Sequence, residues 1–224
     1  MNHDRMLTFI DSLYAGNTPF LDEIEQRSLE DGIPIIRKPT QALLKFFMEK
    51  ERPETILEVG TAVGFSALLM IEYAGEHCKV TTIEKYEKRI PIAKENFMNA
   101  GKEKRITLLE GDALELLKNL DDSFEFIFMD AAKAQYIHFL PDVLRLLKPG
   151  GTLVSDNILQ EGEILESRYA VTRRNRTIHS RMREYLYEIT HCDQLQTMIL
   201  PVGDGVAVSV KKKGKNYDKE QGKA

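Results

Sequence analysis

The chain has 224 residues, 42% of them hydrophobic, and a formal net charge of −4. That length and apolar content suit one well-cored domain, and the mild acidity gives no global electrostatic case for binding nucleic acid or a membrane. Cys78 and Cys192 lie far apart in no metal or redox spacing, as expected for reduced thiols of a cytoplasmic protein.

The N-terminus, "MNHDRMLTFIDSLY", carries an early Asp and no long apolar core, so it does not read as a signal peptide. No apolar run approaches the roughly 18 residues that a membrane span needs. Residues 1–50 read as a helical cover. "MLTFIDSLY" and "QALLKFFMEK" show apolar residues at helical spacing, and "IPIIRKPT" breaks the helix between them with two prolines. From residue 55 the pattern alternates between strand and helix. The strand candidates are "TILEV", "KVTTIE", "RITLLE", "FEFIFMD" and "GTLVSD". Helical patterns such as "SALLMIEYAG" and "RIPIAKENFMNAG" lie between them, and "LKPGG" (147–151) punctuates the last helix before its strand. This alternation predicts an α/β fold with a mostly parallel, doubly wound sheet. "LQTMILPV" and "GVAVSVKKK", separated by Gly203-Asp204-Gly205, predict a C-terminal antiparallel hairpin. One domain is expected over 1–212, with a disordered, solubilising basic tail over 213–224.

In open α/β sheets, ligands bind past the carboxyl ends of the strands. The turn after the first strand reads Glu58-x-Gly60-x-x-x-Gly64. It lacks the closely spaced glycines of a dinucleotide fingerprint, and the acid before it is poor company for a diphosphate. An acid there suits a ligand carrying positive charge, such as an amino group or a sulfonium. Glu84 ends the second strand, 24 residues after Gly60, where an acid commonly accepts hydrogen bonds from ribose hydroxyls. Asp112, in "EGDA", reaches the same rim and could bond an adenine amino group. Helix N-capping is the plainer alternative for Glu84 and Asp112. "EVGTAVGFS", the "TIE" strand end and "GDA" resemble the cofactor motifs of class I AdoMet-dependent methyltransferases, whose fold is Rossmann-like.

Asp130 ends the fourth strand, Lys133 follows three residues later, and Asp156-Asn157 ends the fifth. Two carboxylates and an amide supply hard oxygen ligands suited to Mg²⁺. The alternative is that Asp130 caps a helix and Asp156-Asn157 makes a turn. The set, with "PVGDG", resembles the cation-dependent O-methyltransferases of the catechol and caffeoyl-CoA type over roughly residues 35–210. That resemblance implies that Asp130, Asp156 and Asn157 hold the metal and that Lys133 is the catalytic lysine. Lys133 would act either as a base or as an oxyanion stabiliser, with Asp130 beside it. It further implies that Glu58, Gly60, Ser66, Glu84, Asp112, Ala113 and Asp130 contact AdoMet. The N-terminal helices would cover the substrate or form a homodimer interface. Tyr136 is expected to pack rather than touch substrate, and His179 to be a surface histidine.

Residues 167–183 hold Arg168, Arg173, Arg174, Arg176, Arg181 and Arg183, and no acid. Guanidinium forks suit phosphate, and a local basic patch is the footprint of an RNA backbone. A solvated helix face, or a lid touching only its own domain, are the alternatives. The segment resembles that of the bacterial tRNA 5-hydroxyuridine methyltransferases, a branch of the same family. This resemblance implies a tRNA anticodon loop as partner and 5-methoxyuridine as product. A catechol-type enzyme acting on small phenols is the rival, and a non-catalytic AdoMet-binding or RNA-binding module is a third reading.

Overall fold

A computed structural model describes residues 3–214. Three helices precede the first strand: α1 (His3–Ser12), α2 (Pro19–Glu30) and α3 (Lys38–Glu51). Proline occupies the first turn of α2 and of α3, where its missing N–H costs nothing and its fixed φ suits a helix. The alternating region follows as β1 (Thr55–Val59), α4 (Phe65–Tyr73), β2 (Lys79–Glu84), α5 (Ile90–Asn99), β3 (Ile106–Glu110), α6 (Ala113–Asn119), β4 (Phe124–Met129), α7 (Tyr136–Leu146) and β5 (Leu147–Ser155). Then come α8 (Arg176–His191), β6 (Leu195–Leu200) and β7 (Val206–Lys211).

The seven strands form one sheet in the order β3-β2-β1-β4-β5-β7-β6. The first five are parallel, and β7 runs antiparallel to both β5 and β6. This is the expected α/β architecture, including the terminal hairpin. Chain order reverses between β1 and β4, which makes their carboxyl ends the switch point where a ligand crevice opens.

Strand parity divides the core. Ile56, Phe126, Phe128 and Val154 face α2, α3, α4 and α5. Leu57, Val59, Ile127, Met129 and Leu153 face α6, α7 and α8. β1 and β4 are buried on both faces, which explains their nearly unbroken apolar runs. α4 is apolar nearly all round because it lies between the sheet and the outer helices α2 and α3.

α2 falls within the helical cover expected over residues 1–50. Two expectations change. "LKPGG" does not sit outside its strand: β5 begins at Leu147, and the register slips between its pairings with Phe124 and Phe126. The two glycines and the proline are absorbed as a bulge rather than a stop. His179 is buried at 3% exposure, because His179, Met182, Tyr185 and Ile189 share the inward face of α8. Of the basic tail expected over 213–224, residues 215–224 lie outside the described residues. Among the described residues, no helix is long and apolar enough to cross a membrane.

Candidate active site

A cavity of about 570 Å³ opens at the switch point. Its wall includes the Gly60–Val63 turn, Glu84, Asp112, the Asp130–Lys133 turn, Asn157 and Gln160. A volume of this size lies within the range of small-molecule sites.

The turn is held by its backbone. Gly60 and Thr61 donate to the Ile83 carbonyl at 3.1 Å, and Ala62 donates to Glu84 Oε2 at 2.7 Å. Gly60 has φ +107, and a Cβ there would overlap the Asp130 carbonyl. Gly64 has φ +84, and a Cβ there would overlap the Phe97 ring. Both positions therefore need glycine. Ala62 also takes a left-handed φ of 47, a strained geometry of the kind that collects at ligand sites.

Glu58 does not reach the cavity wall. Its position in β1 points it into the α4 face, where it is fully buried. Ser66 Oγ and Thr82 Oγ1 each donate to it at 2.5 Å. Burial lifts its carboxyl to about 7 against these two hydrogen bonds. Glu58 thus supports the turn from behind, while Gly60, Ser66, Glu84, Asp112, Ala113 and Asp130 line the cavity itself. Glu84 caps no helix. Its other oxygen accepts from Lys85 and Tyr86 N–H at 3.0 and 2.9 Å. Asp112 does cap α6, through Leu114 N–H at 2.9 Å. That bond holds its carboxyl below the usual carboxylate range, with Lys85 assisting at 3.3 Å.

On the β4–β5 side, Lys133 Nζ donates to Asp130 Oδ1 (2.7 Å), Asn157 Oδ1 (3.2 Å) and the Asp156 carbonyl (3.3 Å), and lies 3.0 Å from Tyr136 OH. Asp130 and Asn157 face the cavity. Asp156 is 1% exposed and sits behind them, its Oδ1 engaged by Thr40 Oγ1 at 3.3 Å and by Asn157 N–H at 2.8 Å. Burial, and then the Asp130 charge, push its carboxyl up to about 6. Among the described residues, no three His, Cys, Asp or Glu side chains group as a metal site. The oxygen donors here are two carboxylates and one amide. Tyr136 packs as expected, but in the core, edge-on to Tyr185 at 5.4 Å. Its hydroxyl donates to the Met129 and Asp156 carbonyls and thereby braces Lys133.

The arginine segment adjoins this cluster without lining the cavity. Arg181 donates to the Ala134 carbonyl (3.3 Å), Arg176 to Val171 (3.3 Å) and Arg183 to Ile164 (3.2 Å). Arg168, Arg173 and Arg174 are exposed, and none of the six forms an ion pair among the described residues. The wall arginines are instead Arg37 and Arg89. Neither stands out in the sequence, nor does Asp204, which receives Glu161 N–H at 2.7 Å. The only sequence signal is a proline two residues on for Arg37 and Arg89 (Pro39 and Pro91) and the "PVGDG" turn for Asp204.

Residues 13–212 match the family profile described as O-methyltransferase. A Mycolicibacterium vanbaalenii protein, provisionally described as an O-methyltransferase, is 30% identical over 83% of this chain and 81% of its own. The catechol O-methyltransferase of Mycobacterium tuberculosis is 31% identical over 70% of this chain and 73% of its own. A Staphylococcus aureus structure, provisionally described as a caffeoyl-CoA O-methyltransferase, superposes with a TM-score of 0.82 at 28% identity. That alignment covers 94% of this chain and 99% of the other. The SAH-bound methyltransferase of Podospora anserina shares the fold, with a TM-score of 0.84 at 24% identity over 95% and 97% of the two chains.

Proposed function

This chain belongs to the O-methyltransferase family, and we propose that it uses AdoMet and Mg²⁺ to methylate 5-hydroxyuridine at the tRNA wobble position, giving 5-methoxyuridine. The observation that carries the reading is the convergence of Asp130, Lys133 and Asn157 in one cavity with the Gly60 turn.

AdoMet, when bound, supplies the electrophilic methyl group. The chain's part is to hold and orient it. The Gly60 turn packs against the Asp130 carbonyl, which brings the ends of β1 and β4 together at the cavity. Glu84 stands where ribose hydroxyls are accepted, and Asp112 presents an ionised carboxylate beyond it. The same ligand chemistry is named for the SAH-bound Podospora relative.

The oxygens of Asp130 and Asn157 already surround a cation, the Lys133 ammonium, and Asp156 lies behind them. Such all-oxygen donors fit Mg²⁺, which Asp130, Asp156 and Asn157 would hold. A divalent cation held by these residues would lower the pKa of a substrate hydroxyl and fix its orientation. Lys133 donates to oxygen acceptors and so is set to stabilise a developing oxyanion. Its turn, fixed by Tyr136 and Arg181, keeps that charge in place.

Arg168, Arg173 and Arg174 support an RNA substrate, since their guanidinium groups have no partner among the described residues. Arg181 ties their segment to the Lys133 turn. An anticodon loop offers unstacked bases, the usual form in which RNA sequence is read. A small phenol is the second reading, favoured by the M. tuberculosis catechol O-methyltransferase relative.

The test is nucleoside analysis of tRNA carrying 5-hydroxyuridine after incubation with the protein and AdoMet. The expected result is 5-methoxyuridine, abolished by EDTA and restored by Mg²⁺. Product that persists in EDTA would overturn the metal, and methylation of phenols alone would overturn the RNA assignment.

A further inference from the structure

Gln160 lies in the cavity wall, and both polar atoms of its carboxamide are buried without a protein hydrogen-bond partner. No other cavity-lining residue among the described ones has an unpaired buried polar atom. An amide left unpaired away from water is unfavourable, and such groups commonly mark a functional constraint.

The backbone around it points the same way. Gln160 and Glu161 take left-handed φ values of 52 and 54, and Gly162 follows at 88. Two successive non-glycine residues in that region store strain that the surroundings must fix. They do so from the turn between β6 and β7. Ile158 N–H donates to the Gly205 carbonyl and Leu159 N–H to the Asp204 carbonyl, both at 3.0 Å. Glu161 N–H donates to Asp204 Oδ1. Leu159 fills the space that a Gly205 side chain would need. Gln160 is therefore held on a rigid loop, three residues beyond Asn157.

We infer that Gln160 reads the imide edge of the substrate base, an inference that rests on the wobble-uridine reading above. When 5-hydroxyuridine places its O5 and O4 at Asp130 and Asn157, the next polar edge of the ring is N3–H and O2. A carboxamide matches that edge: Oε1 accepts from N3–H, and Nε2 donates to O2. Rotation of the side chain exchanges a buried, unpaired amide for a paired one. A phenol presents no fixed N–H and C=O pair, so Gln160 would set base specificity and not only affinity.

The test uses the full-length protein, tRNA carrying 5-hydroxyuridine, and two variants. Gln160→Met keeps the length and removes both hydrogen-bonding groups. It should lower kcat/KM for the tRNA about 10- to 100-fold, as expected for two lost hydrogen bonds. AdoMet affinity should stay unchanged, and the melting temperature should not fall. Gln160→Glu keeps one acceptor and regains a donor only on protonation. Its activity relative to wild type should rise as pH falls, which a merely structural role would not produce. Unchanged kcat/KM in Gln160→Met, or a pH-independent ratio for Gln160→Glu, would overturn the inference while leaving the function intact. Wild-type protein that transfers no methyl to the tRNA would overturn the functional reading itself, and this inference with it.

Discussion

Lys133 and Glu58 carry the two sharpest residue-scale expectations. Lys133→Met removes the cation at the centre of the Asp130, Asn157 and Asp156 oxygens. Turnover should fall by about 100-fold or more, with AdoMet affinity, read by calorimetry, changing far less. A loss confined to AdoMet affinity would place Lys133 in cofactor binding alone. Glu58 titrates at about 7 when folded, against 4.5 as its ordinary value, because it is buried. Asp156 moves the same way, to about 6. The folded protein binds both protons more tightly than the unfolded chain does. Their contribution to stability is therefore complete at low pH and is lost as pH rises through about 6 to 7. Glu58→Gln removes the Glu58 share, which at full ionisation is roughly 3 kcal/mol. The variant's melting temperature relative to wild type should rise between about pH 5 and pH 8. A flat difference would mean that the Glu58 carboxyl is not held in its buried, proton-retaining state.

Among the elements, β1 with its turn sets the cofactor side of the cavity, and α8 braces the ends of β4 and β5. Gly60→Ala forces a Cβ into the Asp130 carbonyl at a left-handed φ. It should destabilise the fold by about 1–3 kcal/mol and weaken AdoMet binding, as read by thermal melts with and without AdoMet. Ser155 Oγ and Tyr185 OH, 2.5 Å apart, join α8 to β5 just before Asp156. The strand–turn–helix around Gly60 is legible in the sequence because an apolar run, two glycines and a helical period all fall between Thr55 and Tyr73. Asp130, Lys133, Asp156 and Asn157 are legible for a related reason: each lies in the turn just past a strand end, and parallel strands bring those turns to one rim. What the sequence does not disclose depends on parity or on distant contacts. Glu58 is a single residue away from facing the other side of the sheet. The Gln160 loop is shaped by the Asp204 turn more than forty residues later. His179 looks like part of a basic surface until the helical spacing to Met182, Tyr185 and Ile189 is counted. "LKPGG" has the composition of a stop, yet β5 begins within it and its pairing with β4 resumes at Thr152 after a bulge.

At the scale of the whole molecule, the tRNA proposal asks an acidic protein to engage a polyanion. The answer offered is a local one. Arg168, Arg173 and Arg174 sit exposed outside the cavity, in the segment that Arg181 ties to the Lys133 turn, free of the ion pairs that engage several other surface charges. Changing all three to Gln should weaken tRNA binding and reduce the slope of log K against log salt by about 3. The fold should stay intact, since none of the three makes a hydrogen bond within the described chain. An unchanged slope would make the segment a solvated face. The measurement that reaches the central claim most directly is label transfer from methyl-labelled AdoMet under Mg²⁺. It sets kcat/KM for tRNA bearing 5-hydroxyuridine against kcat/KM for a panel of catechols. The account predicts label in the tRNA at far lower substrate concentration than any catechol requires. Label in catechols alone would contradict it, leaving a methyltransferase whose arginines serve some purpose other than RNA.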